Sequence, residues 1–272
     1  MKTRYPCFEV VVVDCLTRGI SEWAAEKFPA IKLIHFNSDI GPAASHNMGA
    51  AHAEDDTAVF AFLDNDTTVD PEWLTSLVRT LQSDTRIGAA QATIRRMDNP
   101  ERLWALGETI DHTCNATIDE NILRTLRNRM GRKHEIFNAI AAGIAVKRDV
   151  FQGVRGFDDA YFIFHDDVDL GWRIRLAGFR IVTASDSVVN HRAGGTPKAE
   201  SRAVYFGRRN AIRTLLKNYD RCNAFLCVIS RLLQDLGILL GYLVSAQPRV
   251  ALAIAKAACW NLWHFSDTWR ER

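Results

Sequence analysis

The sequence lacks any CxxC pair or zinc-ligand spacing. Its six cysteines, Cys7, Cys15, Cys114, Cys222, Cys227 and Cys259, are scattered, and with no leader-like segment ahead of them they fit a reduced, cytoplasmic setting. An excess of either charge is also missing. The 34 Lys and Arg residues face 32 Asp and Glu, a formal net charge of +2, so there is no overall basic character to hold nucleic acid and any basic function must be local. No apolar run of roughly 20 residues is free of charge; the nearest, Ala224 to Ala246, is broken only by Arg231 and Asp235. No internal repeat or low-complexity tract is present. What remains is 272 residues, 47% hydrophobic and 24% charged. That composition excludes a disordered or fibrous chain and suits one large α/β domain with a short appendage.

The run Glu9-Val10-Val11-Val12-Val13-Asp14 is β-branched and ends in a carboxylate. It predicts a buried parallel strand that delivers Asp14 at its C-terminal end, where ligands of α/β sheets gather. A helix is predicted around Ser21 to Phe28, a short strand at Ile31 to Phe36, and a helix from about Pro42 to Ala53. Thr57 to Leu63 then predicts an apolar strand running directly into Asp64-Asn65-Asp66, and Pro71-Glu72-Trp73 opens a helix with proline in its first turn. After Gly88 to Ile94 the pattern loosens as far as residue 135. Order returns at Ala141 to Val146 and at Gly153 to Phe157. A helix begins near Asp166-Asp167, strands are expected at Arg180 to Ala184 and Ser187 to His191, and the chain from Ser201 onward reads as helices, with Pro248 between the last two.

Two acids one residue apart behind a buried strand can hold Mg²⁺ or Mn²⁺ through hard oxygen ligands, leaving positions open for phosphate oxygens. Asp64 and Asp66 meet that requirement. Asp-Asn-Asp is also ordinary turn chemistry, and its place behind Val59-Phe60-Ala61-Phe62-Leu63 is what favours the metal. Asp166, Asp167 and Asp169 read as helix caps or as carboxylates kept ionised by the helix dipole. A lone histidine such as His191 is more often structural than a ligand, and His35, His46, His52 and His165 read as structural.

Taken in order, Glu9 to Asp14, Asn37 to Gly49 and Phe62 to Trp73 resemble the nucleotide-binding half of family 2 glycosyltransferases, which have the GT-A fold. The middle piece, Asn37-Ser38-Asp39-Ile40-Gly41 with Asn47-Met48-Gly49, is similar to that family's asparagine-glycine turn and following helix. Gly156-Phe157-Asp158-Asp159, His165-Asp166-Asp167-Val168-Asp169-Leu170, Arg173, Ala177-Gly178-Phe179 and His191 resemble its acceptor side. The likeness covers roughly residues 9 to 215, and bacterial rhamnosyltransferase-like members come nearest.

The resemblance implies a metal-dependent inverting transferase that moves a sugar from a nucleotide-diphosphate donor to a saccharide or lipid-linked acceptor in cell-surface polysaccharide or glycolipid assembly. In that register Asp167 is the catalytic base, and Asp166 stands where the family usually has glutamate. Asp64, Asp66 and His191 hold Mn²⁺ or Mg²⁺. Asp14 and Asp64 contact the nucleotide, Arg208 suits the diphosphate, and Asp158 and Asp166 lie on the acceptor side. Cys15-Leu16-Thr17 departs from the family's usual residues after Asp14, and the first family strand is expected to be missing. A single displacement needs no enzyme nucleophile, in keeping with the missing Ser-His or Cys-His pair. The competing readings are a nucleotide-sugar-binding or scaffold protein of the same fold without turnover, and a metal phosphohydrolase suggested by His165-Asp166, for which further histidine-rich helices are lacking.

The expected organisation is a GT-A domain over residues 1–220, with a nucleotide half at about 9–95 and an acceptor half at about 96–220, followed by a helical segment over 221–272. In that last segment Trp260, Trp263 and Trp269 lie close to Lys256 and Arg270. Such flanks suit a bilayer surface, to which Arg124, Arg127, Arg129, Arg132 and Lys133 would add basic attraction. The expectation is peripheral contact at the inner face of the cell membrane, against the alternative of a helical pair packed on the domain or in a dimer.

Overall fold

The computed structural model describes residues 3–117, 133–192 and 200–272. Arg124, Arg127, Arg129 and Arg132 lie outside the described residues. The chain divides into two compact units, Met1–Gly107 with Ile118–Ala193, and Glu108–Thr117 with Gly194–Arg272.

The first unit is built on strands whose alternate residues enter two different cores. In β3 (Val59–Phe62), Phe60 and Phe62 point to one side and Val59 and Ala61 to the other, as the two-residue period of a strand requires. The same division runs through β5 (Ile87–Arg96), β9 (Ile144–Lys147) and β10 (Arg180–His191). Ala89, Ile144, Val146 and Ile181 join the first core, and Ala90, Ala145 and Val182 the second. The first core is closed by α4 (Arg148–Gly153) and α5 (Asp166–Leu176), through Val150, Phe151, Leu170 and Ile174. The second is closed by α3 (Trp73–Gln82), which buries Trp73, Leu74, Leu77, Val78 and Leu81 along one stripe, the helical spacing of an amphipathic face.

The six-stranded mixed sheet has the order β3-β9-β5-β10-β4, with β4 spanning Thr67–Val69 and β6 (Leu103–Ala105) pairing with β5. The outermost strands, β3 and β4, are joined only through residues 63–66. From Phe62 to Thr67 the chain reaches at most ~17 Å, whereas four strand spacings in a flat sheet need ~19 Å. The sheet is therefore curled, and the acidic tripeptide sits at the corner where its ends approach.

Ahead of this sheet, β1 (Val11–Cys15) and β2 (Lys32–Phe36) form a separate parallel ladder, with α1 (Ile20–Lys27) between them and α2 (Gly41–Ala51) after them. Among the described residues β1 pairs with β2 alone, and all five of its residues are half-buried. The structure departs from the sequence expectation in this part of the chain. The two strands expected between 180 and 191 are one 12-residue strand whose register shifts between Ala184 and Val188. The Ser187 hydroxyl, in the bulge, donates to the Trp73 carbonyl at 2.8 Å. The loosened stretch also contains β6, β7 (Thr109–Ile110) and β8 (Ala116–Thr117), two- and three-residue strands too short to leave a periodic signal.

The second unit comprises the β7–β8 hairpin with α6 (Glu200–Asn218), α7 (Arg221–Val244), α8 (Pro248–Trp263) and α9 (Phe265–Arg270). It takes in α6, which was expected to belong with the sheet up to residue 220. The reason is packing. Ala211, Ile212, Leu215 and Leu216 of α6 are buried, Asn261 of α8 donates to the Arg209 carbonyl at 2.9 Å, and Arg213 donates to the Thr268 hydroxyl at 2.8 Å.

Candidate functional site

The corner of the sheet is built by register. β4 runs antiparallel to the end of β10, pairing Thr67 with His191 and Val69 with Val189. Residues 64–67 form a tight turn in which Thr67 donates to the Asp64 carbonyl from both its amide (3.2 Å) and its hydroxyl (2.7 Å). Arg192 N closes the far side on the Asp66 carbonyl at 3.0 Å. His191 is thereby held beside both acids. Its Nε2 lies 3.3 Å from Asp66 Oδ1 and 4.0 Å from Asp64 Oδ2, and one ligand atom from each of the three residues falls within 4.8 Å of the others.

Two carboxylates and an imidazole at this spacing form an O,O,N donor set that suits Mn²⁺ or Mg²⁺. The carboxylates are half-buried and the histidine is buried, so the cluster has one dry side and one side facing solvent, where further ligands can enter. Trp104 of β6 covers the dry side. Its indole is stacked on the His191 ring with centroids 4.4 Å apart and planes 11° from parallel. Among the described residues no hydrogen-bond partner reaches His191 Nδ1, so the ring is oriented by this stack and by its acidic neighbours. The sequence reading missed Trp104; no signal short of the pairing of β6 with β5 would have found it.

Asp166, Asp167 and Asp169 occupy the first turn of α5, with Arg173 and Arg175 in its last, matching the helix dipole at both ends. Their exposures separate their roles. Asp166 and Asp169 are buried, whereas Asp167 is half-exposed. Asp169 is consumed internally, bonded to Tyr161 at 3.3 Å and to Arg173 at 2.8 Å. The chain enters this helix through three non-glycine residues with positive φ, Phe162 (φ 63°), Phe164 (φ 67°) and His165 (φ 62°). Strain of this kind costs ~1 kcal/mol or more per residue and persists only where packing enforces it. Asp158 caps the short turn Asp159–Tyr161 just upstream, accepting from Ala160 N at 3.0 Å.

Two of the motifs singled out in the sequence meet at Asn47 of α2. Its side-chain amide donates to the Phe157 carbonyl and to Asp159 Oδ1, both at 2.7 Å, while its oxygen accepts from Phe157 N at 2.9 Å. Two glycines allow the approach. A Cβ on Gly156 (φ 63°) would lie 2.6 Å from Asn47 Oδ1, and one on Gly41 (φ 81°) 2.6 Å from the Phe162 carbonyl oxygen.

Asp14 stands near the end of β1, paired across the ladder with His35. His35 Nδ1 shares a hydrogen bond with Asp14 Oδ2 at 2.8 Å, and Thr17 N donates to the same oxygen at 3.2 Å. Burial pushes the Asp14 carboxyl upward, but the bonds from Thr17 and His35 outweigh it and hold the group below its ordinary range. His35, read as structural, is therefore the partner of Asp14. Arg208 belongs to the second unit, where its guanidinium forms an ion pair with Asp235 at 2.8 Å. A cavity of about 100 Å³ beside Arg79, Lys133 and Asp186 is lined by none of the candidate catalytic, nucleotide-binding or metal-ligating residues.

Comparison with known proteins adds a family. The model described as "Glycosyltransferase like family 2" matches residues 2–212. O-antigen biosynthesis protein RfbC of Myxococcus xanthus is 27% identical over 223 residues, 76% of this chain and 17% of that protein. N-acetylglucosaminyl-diphospho-decaprenol L-rhamnosyltransferase of Mycobacterium tuberculosis is 41% identical over 54 residues, 20% of this chain and 18% of that protein. The matched stretches thus span less than a fifth of either relative. Among solved structures, the mannosyltransferase PcManGT from Pyrobaculum calidifontis, in complex with GDP-Man and Mn²⁺, has a TM-score of 0.56 at 18% identity, covering 96% of this chain and 80% of that one. At that identity the likeness is one of fold.

Proposed function

Since the chain belongs to the glycosyltransferase family 2 group, we propose that it is an inverting, metal-dependent transferase that moves a sugar from a nucleotide-diphosphate donor to an acceptor hydroxyl. The observation that carries this reading is the cluster of Asp64, Asp66 and His191 at one corner of the sheet. Those three residues would hold Mn²⁺ or Mg²⁺, which when bound neutralises the charge that builds on the diphosphate as it leaves.

The remaining chemistry falls to carboxylates. Removal of the acceptor proton needs an ionised base that substrate can reach. Asp167 fits this role, since it is half-exposed at the positive end of α5 while Asp166 beside it is buried. Asp14, held ionised by Thr17 and His35, has a carboxylate suited to accept from a nucleobase NH. Asp158 and Asp166 belong to the acceptor side, where the strained segment 162–165 leads into α5.

The acceptor class is a lipid-linked saccharide, supported by the relative that acts on an N-acetylglucosaminyl-diphospho-decaprenol, and the place of action is the cytoplasmic face of a membrane. A panel of nucleotide sugars tested for thermal stabilisation and turnover, with and without Mn²⁺, tests the proposal. One donor should stabilise the protein and be consumed only with the metal, and Asp66→Ala should abolish the Mn²⁺ dependence. Donor binding without any turnover would overturn the transferase reading in favour of a nucleotide-sugar-binding protein of the same fold.

A further inference from the structure

The only two charges between Ala224 and Ala246 are Arg231 and Asp235, and α7 turns both of them inward. They are 2% and 4% exposed, with Arg231 Nε 3.1 Å from Asp235 Oδ1. Arg208 of α6 meets the same carboxylate group at 2.8 Å. Arg231 also donates to the Thr113 carbonyl and to Asn115 Oδ1, each at 3.0 Å, in the turn between β7 and β8. The opposite face of α7 carries Phe225, Leu226, Leu233, Leu236, Leu240 and Leu243, each at least 50% exposed. At 3.6 residues per turn these fall in one stripe roughly 120° wide and ~30 Å long, pointing away from the ion pair. A helix of a water-soluble protein has the reverse arrangement.

A contiguous stripe of large exposed apolar side chains of this kind marks an interaction surface. Its ends identify the occupant. Exposed Arg221 stands at the start of α7, next to the N-cap Asp220, and exposed Arg249 just beyond its end, so a cation is available at each end of the apolar face. Leu262 and Trp263 of α8, 75% and 79% exposed, add apolar surface of the kind that seats at a bilayer boundary. A transmembrane course is disfavoured by the ion pair itself. The polar turn Asp111–Asn115 is bonded to the middle of α7, and spanning would carry it into hydrocarbon.

We propose that α7 lies in the plane of an anionic bilayer, with its Phe225-to-Val244 stripe immersed at the acyl boundary and its Arg231–Asp235 pair kept on the protein side. The inference rests on the transferase reading only for its purpose, bringing the enzyme to a surface that holds a lipid-linked acceptor.

Sedimentation of the full chain with vesicles of phosphatidylglycerol and phosphatidylcholine tests it. The wild type should pellet with the vesicles, Leu233→Glu and Leu240→Glu should each lower partitioning by ~10-fold or more, and Leu176→Glu, at an equally exposed leucine of α5 (64%), should leave it unchanged. Unaltered melting curves for the variants guard against unfolding. Wild type that stays in the supernatant, or Leu233→Glu that pellets as the wild type does, overturns the proposal. So does a stable dimer that Leu233→Glu dissociates while no form binds vesicles. Vesicle binding by a protein that no nucleotide sugar stabilises would sink the transferase reading and leave this one standing.

Discussion

The indole of Trp104 lies flat on the imidazole of His191, 4.4 Å between ring centroids. That contact joins a three-residue strand to the end of a twelve-residue one, and it holds the ring plane so that Nε2 faces Asp64 and Asp66. A ligand whose orientation depends on a neighbour loses affinity when the neighbour is removed, by ~10-fold or more. Trp104→Ala is therefore expected to raise the Mn²⁺ concentration needed for half-maximal turnover by that factor, and Trp104→Phe to recover most of it. A metal titration unchanged in Trp104→Ala would reduce the stack to packing.

Asp167→Asn should abolish sugar transfer while leaving donor affinity within a few-fold of wild type, because a base for the acceptor proton does not touch the diphosphate. Donor binding is measured by titration and transfer by product formation. Equal loss of both would remove Asp167 from the role of base.

His46 offers a test through pH. Its ring is packed between Phe62 and Phe157, with centroids 5.1 and 5.0 Å away, and burial lowers its pKa from 6.5 to about 4. The unfolded chain then binds a proton that the folded chain refuses, so stability falls as pH drops from ~6.5 toward ~4, by at most on the order of 3 kcal/mol. His46→Phe should flatten this decline in chemical-denaturation curves whatever it does to stability at neutral pH. A slope identical to wild type would show that the decline has another source.

Asn47 makes three hydrogen bonds to the segment 157–159, and Asn47→Ala leaves the Phe157 amide and carbonyl without them. The expected loss is about 1–3 kcal/mol of unfolding free energy. Asn47→Asp should fare no better, since it keeps an acceptor for Phe157 N but sets a second carboxylate against Asp159. Urea midpoints compare the two, and wild-type stability in both would contradict a role for Asn47 as the tie.

Much of the fold was legible because it is local. The apolar run Val59 to Phe62 reads as a strand from its own residues, Asp64-Asn65-Asp66 as its end, and the acid-rich start of α5 as a helix N-terminus. The bulge in β10 was not legible: its two halves look like separate strands until the same partner, β5, is seen to hold both. The helical unit began earlier than expected because the buried side of α6 is matched to α8, and sequence periodicity shows that a helix has such a side without naming what covers it.

By itself the chain determined which segments become strands and helices, the order of the acidic motifs and the family they belong to, because those depend on neighbours a few residues away. Only the tertiary structure decided that His191 stands beside Asp66, that Asn47 ties α2 to Phe157, and that Arg231 and Asp235 turn inward on α7. Each of these joins residues through strand register or helix rotation. A shift of one residue in either would face the same side chains elsewhere, and nothing in the local sequence records which register the packed chain adopts.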